Sequence, residues 1–143
     1  MSTDRAAPRV TREELLAMMP AQIRQALPTD PWRLQALWDL ELPVQRVQVE
    51  QLAWLLDLPL WQLDGTRFQV SPRAVREDPE RYPDHLNRAM ASDLRYPVHL
   101  VKYRGRLVVL DGFHRLLKAV LEGRTEIDAM VVSGTDLKAI GAA

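Results

Sequence analysis

The chain has 143 residues, of which 47% are hydrophobic, so it is long enough to bury a core as one domain. Nineteen basic side chains balance nineteen acidic ones, which argues against a protein that coats nucleic acid through net charge alone. The absence of cysteine excludes disulfides, thiolate nucleophiles and Cys-ligated zinc. The N-terminus lacks a signal-peptide pattern, and the most hydrophobic window, residues 52–61, is too short to cross a membrane. We therefore expect a cytoplasmic protein that does not enter a membrane.

The N-terminal third predicts a tail followed by two helices. Residues 1–10 are polar and are expected to form a disordered tail. Thr11 and Glu14 have the spacing of a capping box, which predicts the start of a first helix. Asp30, followed directly by a proline, predicts the start of a second helix. We interpret residues 11–42 as a helical extension that precedes the main domain.

Residues 43–143 mix strand and helix patterns without a regular repeat. Valines that alternate with polar residues at 44–49 predict a half-buried strand. The other predicted elements are, in chain order, a strand at 68–70, a helix starting at Ser71-Pro72, a helix from Pro83 to Leu94, two strands within 96–110 joined at Arg104-Gly105, a helix at 113–122 and a strand at 125–132. This order predicts an α+β (mixed α/β) domain with a small mixed β-sheet and flanking helices.

The most informative stretch is Asp111-Gly112-Phe113-His114-Arg115, at the junction between a predicted strand and a predicted helix. A helix that begins directly after a strand presents unpaired N–H groups and a positive dipole end, which together favour an anion. Gly112 would let a ligand approach the backbone, and His114 and Arg115 add donors, although the dipole disfavours cations there unless an anion is present. The conservative interpretation is that Asp111 caps the helix, Gly112 makes the turn and both cations are solvated. Residue types alone leave both interpretations open.

The charge distribution around this stretch is uneven. Between Arg95 and Lys118 the only acid is Asp111, whereas six residues are basic: Arg95, Lys102, Arg104, Arg106, Arg115 and Lys118. Such a concentration predicts a positive face that suits a phosphate-bearing ligand, a nucleotide more readily than a long duplex. Tyr82 and Tyr96 are the aromatic side chains near this face that could stack on a base, whereas the four tryptophans are expected in a core or an interface.

The sequence VVLDGFHRLLKAVLEGRTEIDAMVV, residues 108–132, resembles the ParB/sulfiredoxin-like superfamily, whose members carry a strand, an Asp-Gly-x-His-Arg type of turn, a helix, a glycine and a closing strand. The likeness extends from about Pro43 to Val132 and leaves residues 1–42 without a counterpart. In that superfamily the turn and helix start hold the phosphates of a nucleotide. The resemblance implies that Gly112, His114 and Arg115 bind ATP, ADP or CTP, with or without Mg²⁺. We add Phe113 from the same turn, and Arg95 and Lys102 from the basic cluster, as binding residues.

Catalytic residues follow only from the resemblance. Free serine kinases of the superfamily use an acidic residue from the N-terminal part of the domain as base, which makes Glu50 the candidate here. Asp111 would hold the turn or help with a metal ion, although no metal site made of protein side chains is predicted. Sulfiredoxin activity is excluded because it needs a cysteine. DNA segregation is not expected either, because the helix-turn-helix domain of ParB proteins has no counterpart after Val132.

The predicted function is the binding of a nucleotide or a similar phosphate compound, with phosphotransferase or nucleotide hydrolase activity as the enzymatic hypothesis. One alternative is a non-catalytic interaction module, in which the N-terminal helices with Trp32 and Trp38 dock a partner or a second copy of the chain as a homodimer. A weaker alternative is a ParB-like nuclease or nucleic-acid binder that uses the basic hairpin.

Overall fold

The computed structural model describes residues 8–141 of the chain. In this range the helices are α1 Arg12–Met18, α2 Ala21–Ala26, α3 Leu34–Trp38, α4 Pro72–Glu77, α5 Pro83–Ala91, α6 Phe113–Leu121 and α7 Gly134–Ala139. The strands are β1 Val44–Gln48, β2 Trp61–Leu63, β3 Thr66–Val70, β4 Val98–Tyr103, β5 Arg106–Asp111 and β6 Glu126–Val132. The predicted α+β class is confirmed. Residues 1–7 of the expected tail lie outside the described range, and residues 8–10 have no regular structure.

The main sheet has four strands in the order β1-β6-β4-β5. β4 and β6 run parallel, and the other two pairs are antiparallel. One row of paired residues crosses the whole sheet, from Val44 to Met130, His99 and Asp111. Because directly opposite residues point to the same face, this register places Met130, His99 and Asp111 side by side.

A bulge in the β4–β5 hairpin produces that row. Arg104 and Gly105 both have positive φ, 50° and 82°, as in the tight turns that favour two-residue hairpins. Regular pairing from this turn would place His99 opposite Leu110. The register instead shifts by one residue, so that His99 pairs with Asp111. The bulge therefore places the Asp111 carboxylate on the same face of the sheet as the His99 imidazole.

The core is built around β4, where Val98, His99, Leu100 and Val101 are all buried, so both faces of this strand are covered. The larger apolar cluster takes side chains from the sheet, the N-terminal helices, α6 and α7. A second, smaller cluster consists of Trp61, Val70, Val75, Ala89 and Leu117. Leu116 lies in the first cluster and Leu117 in the second, so α6 joins the two cores.

The N-terminal extension differs from the prediction. It contains three helices rather than two, and α1 begins as expected, with the Thr11 side chain accepting from the Glu14 N–H at 3.1 Å. The helix expected at Asp30 begins only at Leu34. Trp32 instead forms a β-bridge with Gly141, and the Arg33 N–H donates to the Ile140 carbonyl at 2.9 Å, so this segment is held extended.

Several short elements were not predicted. These are two 3₁₀ turns at Val49–Gln51 and Ala53–Asp57, strand β2 and helix α7. Each is too short to show a clear hydrophobic period. Within residues 8–141, no helix combines the length and the apolar composition that crossing a bilayer requires.

We predict that Gly112→Ala destabilises the protein by about 2–4 kcal/mol. Gly112 has φ +117°, and an added Cβ would lie 2.6 Å from Cγ1 of Val98. Gly123→Ala is the matched control, because Gly123 also has positive φ, +72°, but has no atom within 4 Å of its added Cβ. Urea unfolding of both variants measures the difference, and equal losses would contradict the close contact with Val98.

Candidate functional site

The carboxylate of Asp111 joins three elements. Its Oδ2 atom accepts the Trp38 Nε1–H and an Arg115 Nη2–H, both at 3.0 Å. The N-cap of α6 is Gly112, and no side chain within residues 8–141 caps that helix. The conservative interpretation, in which Asp111 caps α6, is therefore wrong, because the carboxylate instead connects the end of β5 with α3 and with the first turn of α6.

Arg115 also holds the connection between α5 and β4. Its Nη1 donates to the carbonyls of Tyr96 at 3.1 Å and Pro97 at 2.7 Å. Three residues further along α6, Lys118 donates from Nζ to the carbonyl of Ser92 at 2.6 Å. The Arg115 side chain is only 16% exposed, so it is not solvated as the conservative interpretation expected. In the described part of the chain its Nε–H and second Nη2–H meet no acceptor.

His99 lies beneath this arrangement and is 7% exposed. Its Nδ1 is 4.0 Å from Oδ2 of Asp111. Neither ring nitrogen has a hydrogen-bond partner among residues 8–141. Burial lowers the pKa of His99, and the nearby Asp111 carboxylate offsets only part of that effect. The ring is therefore a neutral, unpaired imidazole next to a carboxylate.

An open cleft of about 590 Å³ lies over these groups, lined by Trp38, Ser92, Asp93, Tyr96, Pro97, His99, Arg115 and Met130. Two of its aromatic side chains are exposed, Trp38 to 52% and Tyr96 to 67%. The size of the cleft and its combination of apolar surface with a few polar groups are typical of sites for small molecules.

His114 does not face this cleft. Its ring stacks on Trp61 at a centroid distance of 4.1 Å, and Trp61 also stacks on His85 at 4.9 Å. Nε2 of His85 lies 2.7 Å from the carbonyl of Gln62, which makes it the donor. Nε2 of His114 is buried and has no hydrogen-bond partner in the described part of the chain. Burial, with smaller effects of Arg88 and His85, lowers the pKa of His114 to about 3. His114 is thus part of the second core and is not placed to grip a phosphate.

Three further predicted binding residues, Gly112 and Phe113 from the turn and Arg95 from the basic cluster, make contacts within the protein. Gly112 leaves room for Val98, which would contact an added Cβ. Phe113 packs against both apolar cores. Arg95 is exposed and pairs with Asp93 at 2.8 Å, and its hydrogen bonds lower the pKa of Asp93 to about 2.

Glu50 and Lys102 lie apart from Asp111. Glu50 is exposed on the 3₁₀ turn after β1, beyond the pair of Gln48 with Glu126. Glu126 is four residues, or about 13 Å, from the Met130 row to which Asp111 belongs. Lys102 lies three residues after His99 on β4 and therefore points to the opposite face of the sheet.

The basic cluster expected from the sequence does not form one positive face. Arg104 donates to the carbonyl of Gln25 at 3.2 Å, and Arg106 lies over the ring of Trp54 at 4.6 Å. Arg115 and Lys118 hold the 92–97 connection, and Arg95 pairs with its neighbour Asp93. Most of these cations have acceptors within the protein. In the described range no group of three or more His, Asp or Glu side chains could hold a metal ion.

Trp38 and His99 are the site residues that the sequence interpretation missed, whereas Tyr96 was expected to face a ligand. The turn at Arg104-Gly105 was the available signal for His99, because counting back from it brings His99 near the end of β5. No pattern in the sequence connects Trp38 with Asp111, since 73 residues separate them.

Fold and site together define an α+β domain with a cleft of ligand size at the strand–helix junction of Asp111 and Arg115. No family model, curated protein or solved structure matches the chain.

We predict that Arg115→Ala costs about 2–4 kcal/mol of stability, because it removes one of the two donors to the Asp111 carboxylate, together with its charge partner, and the side-chain donor to two carbonyls. The control is Arg95→Ala, which removes a cation whose side chain is 89% exposed, and we expect this variant to unfold like the wild type. Chemical denaturation compares the two variants. An Arg115→Ala protein as stable as Arg95→Ala would show that the three contacts contribute nothing.

We predict that His114 makes the protein less stable in acid. Its folded-state pKa of about 3 lies below the ordinary value, so the unfolded chain binds a proton more readily as the pH falls below about 6.5. Relative to His114→Phe, the wild type should lose about 2 kcal/mol of unfolding free energy between neutral pH and pH 5. Denaturation at several pH values measures this difference. Parallel pH profiles for the two proteins would contradict it.

Proposed function

We propose that the protein binds a nucleotide in the cleft between Trp38 and Tyr96. The observation that carries this proposal is the presence of two exposed aromatic side chains in the same cleft as an arginine with unused N–H donors. Flat aromatic ligands with an anionic group combine the two chemistries that the cleft offers.

The aromatic side chains of Trp38 and Tyr96 would stack on the nucleobase. Trp38 is held by its hydrogen bond to Asp111, so its ring is oriented before a ligand arrives. Tyr96 follows Asp93 and Arg95 in a turn closed by the Tyr96 N–H and the Asp93 carbonyl at 3.1 Å. Stacking on such rings contributes about 1–3 kcal/mol per base and depends little on which base is bound.

The N-terminal end of α6 would bind the phosphates of the nucleotide. In the described part of the chain this helix has no side-chain cap, and its first turn holds no acidic residue, so its dipole end would favour an anion beside Arg115. Arg115 adds two N–H donors, and its contact with Asp111 balances the carboxylate charge. The Oδ1 atom of Asp111 accepts no hydrogen bond in the described part of the chain, and we assign it the role of meeting a Mg²⁺ ion carried by the nucleotide.

Membership of the ParB/sulfiredoxin-like superfamily is part of the proposal. It is supported by the strand that ends at Asp111, the left-handed Gly112, the helix that follows, and the return of the chain in β6 parallel to β4. A cytoplasmic location is part of the same proposal.

Phosphoryl transfer or nucleotide hydrolysis would need a base next to the bound phosphate. We assign this role to His99, which lines the cleft with Arg115, has no hydrogen-bond partner among residues 8–141 and lies 4.0 Å from Asp111. Glu50 lies at the far end of the sheet, so His99 replaces it as the residue to substitute in assays of turnover.

The proposal predicts that Tyr96→Ala weakens nucleotide binding about tenfold, through loss of one stacking surface. The Tyr96 side chain is 67% exposed, so this variant tests the cleft without the loss of stability expected for Arg115→Ala. Calorimetric titration with ATP, ADP and CTP, each with and without Mg²⁺, measures the affinity.

Met90→Ala is the matched control for this titration, because Met90 is also large, apolar and 47% exposed, but does not line the cleft. Its affinity should equal that of the wild type. No binding of any of the nucleotides, or equal binding by the Tyr96→Ala protein, would contradict the proposal and favour the interaction-module alternative.

A further inference from the structure

A second pocket lies at the turn of the β4–β5 hairpin, at the opposite end of β4 from His99. Its volume is about 550 Å³, and it is lined by Gln51, Trp54, Lys102, Gly105, Arg106 and Leu107. Lys102 and Leu107 are a register pair next to the turn, and the 3₁₀ turns that follow β1 supply Gln51 and Trp54. The pocket shares no residue with the cleft, so a ligand bound here would be independent of the proposed nucleotide site.

The pocket is positively charged. Lys102 and Arg106 are both exposed, and none of the described residues that line the pocket is acidic. In the described part of the chain, neither residue forms an ion pair within 4 Å, in contrast to Arg73, Arg95 and Arg115. Two uncompensated cations beside a concave surface attract an anion, and a water-poor wall strengthens that attraction.

The pocket also offers a flat surface. The guanidinium of Arg106 lies over the Trp54 ring at 4.6 Å from its centroid. The Nε1–H of Trp54 is buried and finds no acceptor within residues 8–141. Proteins commonly bind unpaired nucleotides with cations next to aromatic rings, because the flat groups stack on the base and the cations bind the phosphate.

We propose that this hairpin pocket binds a phosphate group through Lys102 and Arg106, with the attached nucleobase against the Arg106–Trp54 stack. Both side chains donate charge-assisted hydrogen bonds to phosphate oxygens. The phosphate comes from a free nucleotide or from a single-stranded nucleic acid, and the chemistry of recognition is the same for the two sources.

The test uses two fluorescent probes, labelled AMP and a labelled oligothymidylate of about ten nucleotides, and follows their anisotropy with the full chain. Binding of at least one probe should weaken about tenfold or more in the double variant Lys102→Ala/Arg106→Ala. The control Arg76→Ala/Arg88→Ala removes the same charge from exposed positions on α4 and α5, and should bind like the wild type.

The two sources of phosphate give different results. A free-nucleotide site binds AMP, which then displaces the oligonucleotide. A nucleic-acid site binds only the oligonucleotide, with a salt dependence whose slope falls by about two in the double variant. The double variant should weaken binding by the same factor in the wild-type chain and in a Tyr96→Ala background, which separates this pocket from the cleft. The proposal is overturned if neither probe binds, or if the double variant binds both probes like the wild type.

Discussion

One carboxylate oxygen connects the layers of this domain. Oδ2 of Asp111 accepts hydrogen bonds from Trp38 of α3 and from Arg115 of α6, two helices that are far apart in the sequence. Because the same Arg115 also holds the carbonyls of Tyr96 and Pro97, the two aromatic walls of the cleft are positioned through a single acceptor. The hydrogen bond from Trp38 to Asp111 positions the Trp38 side of the cleft, and the hydrogen bonds from Arg115 position the Tyr96 side. The geometry of the cleft therefore depends on the charge and the position of Asp111.

The cation in the first turn of α6 shows how a sequence pattern can have two causes. Arg115 at the positive end of a helix dipole is unfavourable unless negative charge or oxygen acceptors surround it. A bound anion satisfies this requirement, and so do Asp111 and the two loop carbonyls observed here. The i, i+4 relation of Asp111 and Arg115 is visible in the sequence, whereas the carbonyls are supplied by tertiary structure. Two donors of the guanidinium remain, so the two causes are compatible.

The regular part of the fold was predictable from local patterns. The turn at Arg104-Gly105, the apolar face of α6 and strand β6 are encoded by neighbouring residues. The site was less predictable, because it rests on a one-residue shift. With regular pairing from the turn, the side chains of Asp111 and His99 would lie on different faces of the sheet. The bulge places both on the same face. The position of Trp38 next to Asp111 depends on how the short helix α3 packs on the sheet. The hydrophobic periodicity of the sequence does not predict this packing.

The bridge between Trp32 and Gly141 bears on the order in which the chain folds. It joins residues from near the two ends of the described chain, and the Arg33–Ile140 hydrogen bond lies beside it. Contacts of such long sequence separation carry a large loop-closure entropy, whereas β4, β5, α6 and β6 are contiguous and assemble through local contacts. We expect the N-terminal helices to dock after this unit has formed. The Trp38 wall would then be among the last parts of the molecule to reach its native place.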